Sequence, residues 1–170
     1  AGVGVSTQSQ ALSGQLVNVL GAEFKVSWKL IAQTGHKAKD ILAHLKMTSP
    51  EKFDVVVTSI GVNDVTHGTK TQKWIDYQSQ IIKLLQSKFH ARYIILSSVP
   101  PMHLFPALPQ PLRWYLGMRA ERFNAALKKF VDGCKRCEFV QINFPLEDAY
   151  MAADGFHPGA LAYSIWANHV

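Results

Sequence analysis

The sequence predicts a doubly wound α/β domain, in which a parallel sheet lies between two layers of helices. Short runs rich in β-branched and aromatic residues alternate with amphipathic segments of helical period. Two of these runs, DVVVTSI and YIILSSV, are almost continuously apolar, as expected of parallel strands covered by helices on both faces. The 170 residues match the length of one domain with a full hydrophobic core, so we expect a single domain over residues 1–170.

Four runs are predicted to be buried strands because they are short, rich in β-forming residues and bounded by turn residues. In chain order they are residues 24–32 (FKVSWKLIA), 53–60 (FDVVVTSI), 92–99 (RYIILSSV) and 139–144 (FVQINF). In a parallel sheet the loops that follow such strands gather at the carboxyl edge, where open α/β folds form their sites.

Apolar residues at helical spacing predict the helices that pack against this sheet. The first helix covers about residues 8–21, and a short final helix covers residues 161–170. The apolar stripes of the first four predicted helices are, in chain order, Leu12, Leu16 and Val19; Ala38, Ile41, Leu42 and Leu45; Ile75, Ile82, Leu85 and Phe89; and Leu116, Ala120, Phe123, Leu127 and Phe130. The resulting order, α-β-α-β-α-β-α-β-α, is typical of a doubly wound fold.

The predicted pattern begins with a helix that no strand precedes, whereas a right-handed β-α-β crossover needs a strand before its helix. The opening residues, AGVGV, resemble a loop that follows a strand. In a sheet ordered 2-1-3-4-5 the first strand is central, and a sheet without it would have a gap in its core. We therefore expect the first, central strand to precede Ala1, which makes the domain N-terminally incomplete.

Charge and cysteine usage point to no additional partner. The net charge is +6, and seven basic residues lie between Arg113 and Arg136. No nucleic-acid-binding motif accompanies them, so a solvated helix face is favoured over a nucleic-acid surface.

No apolar run approaches the roughly 18 residues of a membrane span. Cys134 and Cys137 form a C-x-x-C pair after a predicted helix, without the second pair of a zinc site, so we expect no metal and no cofactor.

Polar residues and a glycine follow three of the predicted strands. Gly35 follows the first strand, and Asn63 and Asp64 follow the second. Asp154 and His157 follow the last strand. Each group has a structural alternative: a tight turn, a turn with a helix cap, or the first turn of the final helix. Their coincidence at one edge of the sheet favours a functional site.

These residue types suit acyl transfer. His157 could take the proton of a hydroxyl nucleophile, and a position at the N-terminus of the final helix would help to keep its ring neutral. Asp154 could orient the ring and offset the charge that develops on it. The Asn63 amide and the Gly35 N–H could bind the oxyanion of a tetrahedral intermediate, for which one lost donor costs about 2.7–4 kcal/mol of barrier.

GVND at 61–64 and DGFHP at 154–158 resemble blocks III and V of the SGNH (GDSL) hydrolases, and QTG at 33–35 resembles their block II. The resemblance implies a flavodoxin-like three-layer α/β/α sandwich. It also implies a serine hydrolase that cleaves small-molecule carboxylic esters or thioesters through an acyl-enzyme without a cofactor or metal. The roles it implies are general base for His157, orienting acid for Asp154, and oxyanion donors for Asn63 and Gly35.

The sequence departs from the family pattern in one respect, because block I, Gly-Asp-Ser, is absent. In this family the nucleophile follows the first strand, so we expect the serine just upstream of Ala1. Ser6 and Ser9 are the nearest alternatives, but their position predicts helix capping, and Ser97 and its neighbour Ser98 belong to a predicted strand. An inactive SGNH-like binding or scaffold module that lacks the nucleophile is the alternative function.

A proline-rich loop interrupts the α/β rhythm, with five prolines between Pro100 and Pro111. Its large apolar residues, together with those that follow it, are Met102, Leu104, Phe105, Leu108, Trp114 and Tyr115. They could line a wall for an acyl chain, or they could cover the edge of the sheet; the sequence favours neither interpretation.

Overall fold

A computed structural model describes residues 2–142 and 148–170 of the chain. The fold is α/β with a parallel sheet and helices on both sides, as predicted. Within the described residues the sheet has three strands in the order β1-β2-β3, and both pairings are parallel. The strands are β1 (Val55–Thr58), β2 (Tyr93–Ser97) and β3 (Cys137–Val140). Each lies within or beside a predicted apolar run.

Six α-helices surround this sheet in the described part of the chain. They are α1 (Leu12–Gly21), α2 (Ala38–Met47), α3 (Val62–Thr66), α4 (Thr71–Ser87), α5 (Leu112–Val131) and α6 (Ala160–His169). The short α3 was not predicted as a helix. It begins after Gly61, whose φ of +151° lets the chain turn sharply out of β1, a conformation that favours glycine. None of these helices is both long and apolar enough to cross a membrane.

The main core forms where α4 and α5 pack on the sheet. Trp74 of α4 stacks on Phe123 of α5 with ring centroids 4.4 Å apart, and both side chains are fully buried. Aromatic contacts of this kind contribute about 0.5–1.5 kcal/mol beyond the burial of their area. The apolar stripes of these helices are thus core residues, as their helical spacing predicted.

A second cluster joins α6 to the end of β2 and to residues beyond β3. Trp166 of α6 donates from Nε1 to Ser97 Oγ at 3.1 Å, and Ser98 Oγ accepts the Ile142 N–H at 2.8 Å. Both serines are buried. Each hydroxyl therefore bonds another part of the fold.

The predicted strand at residues 24–32 is wrong, because this segment is irregular and forms no ladder with a described strand. Phe24 and Trp28 are 63% and 48% exposed, and Val55 on the outer edge of β1 is 49% exposed. A β-strand is stabilised by hydrogen bonds and side-chain packing across to a neighbour, and no described strand lies beside this segment. Its β-forming residues therefore do not suffice to make it a strand.

The chain termini also differ from the prediction in detail. The first predicted helix is divided into a 3-10 turn at Gln8–Gln10 and α1, and Val19 of its predicted stripe is exposed. The last predicted strand, 139–144, begins earlier as β3, and its final two positions lie outside the described residues. The final helix α6 begins at Ala160, one residue earlier than predicted.

Candidate active site

The loop before α6 folds into a closed turn that carries the predicted acid and base. Met151 and Pro158 form an antiparallel bridge, and Ala152 N–H donates to the His157 carbonyl oxygen at 2.9 Å. Gly155 occupies the tip with a φ of +62°, a backbone conformation that suits glycine. These bonds therefore fix the backbone before Asp154 and after His157.

Asp154 and His157 form a hydrogen-bonded pair within this turn. Asp154 Oδ2 lies 2.6 Å from His157 Nδ1, and Asp154 Oδ1 accepts the N–H groups of His157 and Phe156 at 2.9 and 3.0 Å. These bonds, led by the one from the His157 backbone, lower the pKa of Asp154 to about 2. Because an ionised carboxylate only accepts hydrogen bonds, Nδ1 carries the proton of a neutral ring, and Nε2 has the free lone pair of a base.

The predicted position of His157 at a helix N-terminus is wrong. The N-cap of α6 is Gly159, and Pro158 belongs to the bridge with Met151 rather than to the first turn of the helix. The backbone bonds of the closed turn delay the start of the helix until Ala160. The ring therefore depends on the Asp154 carboxylate, rather than on a helix dipole, for its tautomer and orientation.

The proline-rich loop packs against this turn. Phe105 meets Phe156 edge to face with centroids 5.2 Å apart, and Ala107 N–H donates to the Gly155 carbonyl oxygen at 3.2 Å. Phe105 is buried with Met102 and Leu108, while Leu104, Trp114 and Tyr115 are exposed. Packing thus accounts for the three buried residues. The three exposed residues could still either line a wall for an acyl chain or cover the edge of the sheet. A cavity of about 410 Å³ beside Asp154 is lined by Pro106, Ala107 and residues 151–155.

The N-terminal segment passes directly beside the base. A Cβ atom at Gly4 would lie 3.0 Å from His157 Cβ and 2.6 Å from the Pro158 carbonyl oxygen. Tyr163 of α6 donates from its hydroxyl to the Val3 carbonyl oxygen at 2.9 Å, which holds the segment there. Burial raises the pKa of this tyrosine to about 12, so it remains a donor at neutral pH. Ala1, before which the nucleophile was predicted, lies outside the described residues.

Asn63 and the Gly35 loop are also in contact. Asn63, in α3, donates from Nδ2 to the His36 carbonyl oxygen at 3.0 Å. Gly35 turns the chain with a φ of +83°, and no atom lies within 4 Å of the position of its missing Cβ. Within the described residues, its N–H donates no hydrogen bond. The Gly35 N–H and the second hydrogen of the Asn63 amide thus have no acceptor among the described residues.

The loops after β1 and β2 meet at the carboxyl edge of the sheet. Gly61 approaches Val99 so closely that a Cβ on the glycine would lie 2.5 Å from Val99 Cγ2. The side chain of Asn124 in α5 bonds the Val99 N–H and carbonyl oxygen, both at 2.8 Å. This asparagine was not predicted, although a polar residue next to Phe123 in the apolar stripe of α5 could have indicated it. Asn63 follows β1 and the predicted acid–base pair follows β3, and both strands end at this edge, whereas the segment before Gly35 forms no strand.

Asp64 was predicted only as a turn or cap residue, but it is a buried carboxylate that links two segments. It is 1% exposed, and its Oδ2 accepts the Ala38 N–H at the start of α2 at 2.8 Å. Burial raises the pKa of Asp64, although the bonds from Ala38 and Thr69 oppose this shift. The residue therefore caps a helix, but that helix is α2 rather than its own.

Comparison with protein families identifies a match over most of the chain. The model of the GDSL-like Lipase/Acylhydrolase family matches residues 1–165, which include all the residues of both pairs. Comparison with curated protein sequences finds no match.

Solved structures with low sequence identity share the fold. The lipase Lip_vut3 from a goat rumen metagenome has a TM-score of 0.71 at 14% identity, covering 99% of this chain and 89% of its own. TesA has a TM-score of 0.69 at 20% identity, with coverages of 99% and 88%. A Clostridium thermocellum family 3 carbohydrate esterase has a TM-score of 0.65 at 17% identity, with coverages of 98% and 86%. These similarities establish the architecture that positions the two pairs.

Proposed function

This chain belongs to the GDSL-like lipase/acylhydrolase family, and from that premise we propose that it is a serine hydrolase of carboxylic esters or thioesters. The observation that carries the proposal is the 2.6 Å contact between His157 Nδ1 and Asp154 Oδ2. It leaves Nε2 of the neutral ring as a general base, the role that an acyl-enzyme mechanism requires.

In the proposed reaction, His157 Nε2 takes the proton of a serine hydroxyl while the serine oxygen attacks the carbonyl carbon of the ester. The Asn63 amide and the Gly35 N–H donate to the oxyanion of the tetrahedral intermediate. The imidazolium then protonates the leaving alcohol or thiol, and an acyl-enzyme remains. Water attacks the acyl-enzyme by the same proton route, which releases the acid and restores the serine. The ionised Asp154 stabilises the imidazolium during both steps.

We place the nucleophilic serine just before Ala1. The path of the N-terminal segment supports this placement. Gly4 packs against His157, and Val3, the residue before it, is bonded to Tyr163 of α6. Other serines are poorer candidates: Ser97 and Ser98 are buried and bonded, and the exposed Ser9 hydroxyl pairs with Thr7 at 2.8 Å. The helix-capping role expected of Ser6 and Ser9 is wrong. The N-cap positions are Thr7 and Ala11, and neither makes a side-chain cap bond.

The encoded residues before Ala1 provide the first test. A Gly-Asp-Ser at the end of an apolar run supports the enzyme. Any other sequence there supports the alternative of an inactive binding or scaffold module.

Labelling with a fluorophosphonate probe is the direct test, because the probe modifies only an activated serine. In protein that includes the segment before Ala1, one serine in that segment should react. His157→Ala should abolish labelling, whereas His169→Ala, at the far end of α6, should leave it unchanged. Mapping of the label to Ser6, Ser9 or another serine of this chain would contradict the proposed nucleophile.

A further inference from the structure

Two neighbouring residues of α3 hold the loop that contains Gly35, through bonds of opposite polarity. Asn63 donates to the His36 carbonyl oxygen at 3.0 Å, and Asp64 accepts the Ala38 N–H at 2.8 Å. These bonds attach the chain at two points immediately after Gly35. The distance between the two proposed oxyanion donors therefore depends on both bonds.

Helix capping alone does not explain the burial of Asp64. The N-terminus of α2 already has a capping carboxylate, because Asp40 accepts the Lys37 N–H at 3.0 Å from a less buried position. Burying a carboxylate costs free energy unless hydrogen bonds compensate for the lost water. Asp64 incurs this cost for a bond that joins two different segments, which points to a role between those segments.

The C-terminal part of α3 is fixed to α5. Arg119 donates from Nε to the Val65 carbonyl oxygen at 3.2 Å and from an Nη atom to the Thr69 carbonyl oxygen at 2.6 Å. The end of α3 and the turn that follows it are thus held on α5 independently of α2. With α3 fixed in this way, the bond from Asp64 attaches the chain just after Gly35 to the same helix that carries Asn63.

We propose that Asp64 is the positioning residue of the oxyanion hole, because its bond to Ala38 holds the Gly35 N–H beside the Asn63 amide. The proposal rests on the proposed function of those two donors. Without Asp64, the Asn63 amide alone would have to hold the loop, and the free hydrogen of the amide and the Gly35 N–H would no longer keep a fixed spacing. Preorganised donors stabilise a transition state more than mobile donors do.

Kinetics on protein that includes the segment before Ala1 test this role, with p-nitrophenyl butyrate as the substrate. Asp64→Ala should lower kcat by about 10- to 100-fold, less than the loss of a whole donor, and leave KM within about twofold. Asp64→Asn keeps an oxygen acceptor and should retain kcat within about threefold. The matched control is Asp40→Ala, which removes a capping bond from the same helix end and should leave kcat unchanged.

Two kinetic outcomes would overturn the proposal. One is an unchanged kcat in Asp64→Ala. The other is an equal loss in Asp40→Ala, which would reduce the role of Asp64 to capping α2. If Asp64→Ala does not fold, Asp64→Ser replaces it, because a serine hydroxyl is too short to reach the Ala38 N–H but keeps a polar group in the site.

Amide hydrogen exchange and NMR shifts supply a readout that does not require catalysis. In Asp64→Ala, exchange of the Ala38 N–H should accelerate by about tenfold or more, and the Gly35 amide resonance should move. In Asp40→Ala, the Gly35 resonance should stay in place. If the parent protein hydrolyses no ester, the proposed function fails, yet this comparison still decides whether Asp64 positions the loop. An unmoved Gly35 resonance in Asp64→Ala overturns it.

Discussion

The acid–base pair and the donor pair of the proposed site are built in different ways. Asp154 and His157 are three residues apart, and their side chains are 48% and 35% exposed. The bonds that attach the Gly35 loop to Asn63 and Asp64 join residues 27 and 26 positions apart, and one of them ends on a buried carboxylate. One half of the site is thus a local turn, whereas the other half is a long-range contact.

This difference has consequences for the stability of each half. A turn with its own hydrogen bonds keeps its geometry as long as residues 150–159 remain folded. The donor half depends on the packing of α2, α3 and α5, so a disturbance of any of these helices should move the donors before it moves the base. The two halves have the opposite order of importance for the rate, because the base transfers a proton whereas the donors only stabilise charge.

The largest expected effect comes from the local half. His157→Ala should lower kcat for p-nitrophenyl esters by about 10⁴-fold or more, because no other group takes the serine proton. The thermal midpoint should change little, since the side chain is partly exposed and the turn keeps its backbone bonds. Steady-state kinetics and a thermal melt measure the two quantities. Turnover above one tenth of wild type would remove His157 from the role of base.

The next effect tests the long-range half. Asn63→Ala should lower kcat by about 10²- to 10³-fold with little change in KM, because its bond to the oxyanion forms in the transition state. Loss of the bond to His36 should also cost about 1 kcal/mol of unfolding free energy. Asn168→Ala is the matched control, because it removes an amide-to-carbonyl bond at the exposed end of α6. A change in KM alone would show that Asn63 binds the ground state and is not an oxyanion donor.

Asp154→Asn should have a smaller effect than either of these changes. The amide keeps an oxygen for the backbone N–H groups, but its other end can no longer accept the proton of His157 Nδ1. The expected loss in kcat is about 10- to 100-fold, below the roughly 10⁴-fold of a buried triad, because water can reach the partly exposed ring and replace the lost acceptor. A loss as large as that of His157→Ala would mean that water does not replace the lost acceptor of His157 Nδ1.

The same difference between local and long-range structure explains what could be predicted from the sequence. The strands β1 and β2 and the stripes of α4 and α5 were predicted because apolar periodicity is a local property. Asp154 and His157 could be predicted to interact because they lie three residues apart in one turn, where their side chains are in contact. The bond from Asp64 to α2 was not predicted, since nothing in a linear pattern states which distant N–H a buried carboxylate accepts.

Two of the errors have a related physical cause. Residues 24–32 have the composition of a strand, but a strand also needs a neighbouring strand, and the described sheet offers none at that position. His157 was assigned to a helix N-terminus because a proline follows it, yet the bridge at Pro158 and the bonds around Asp154 keep this residue in the turn. The lack of a neighbouring strand outweighed local propensity in the first case, and a competing set of turn bonds did so in the second.

The smallest expected effect is a pH dependence of stability that belongs to the local half. The pKa of Asp154 falls from 3.8 to about 2 on folding, so the folded state favours the ionised carboxylate. Its contribution is therefore complete above about pH 4 and is lost as the pH falls towards 2. The difference in unfolding free energy between wild type and Asp154→Ala, measured with urea, should shrink over this interval. Asp54→Ala, which removes an exposed ion pair with Arg92, should change stability little near neutral pH. A gap between wild type and Asp154→Ala that stays constant from pH 6 to pH 2 would show that the turn is held by its backbone bonds, without help from the carboxylate charge.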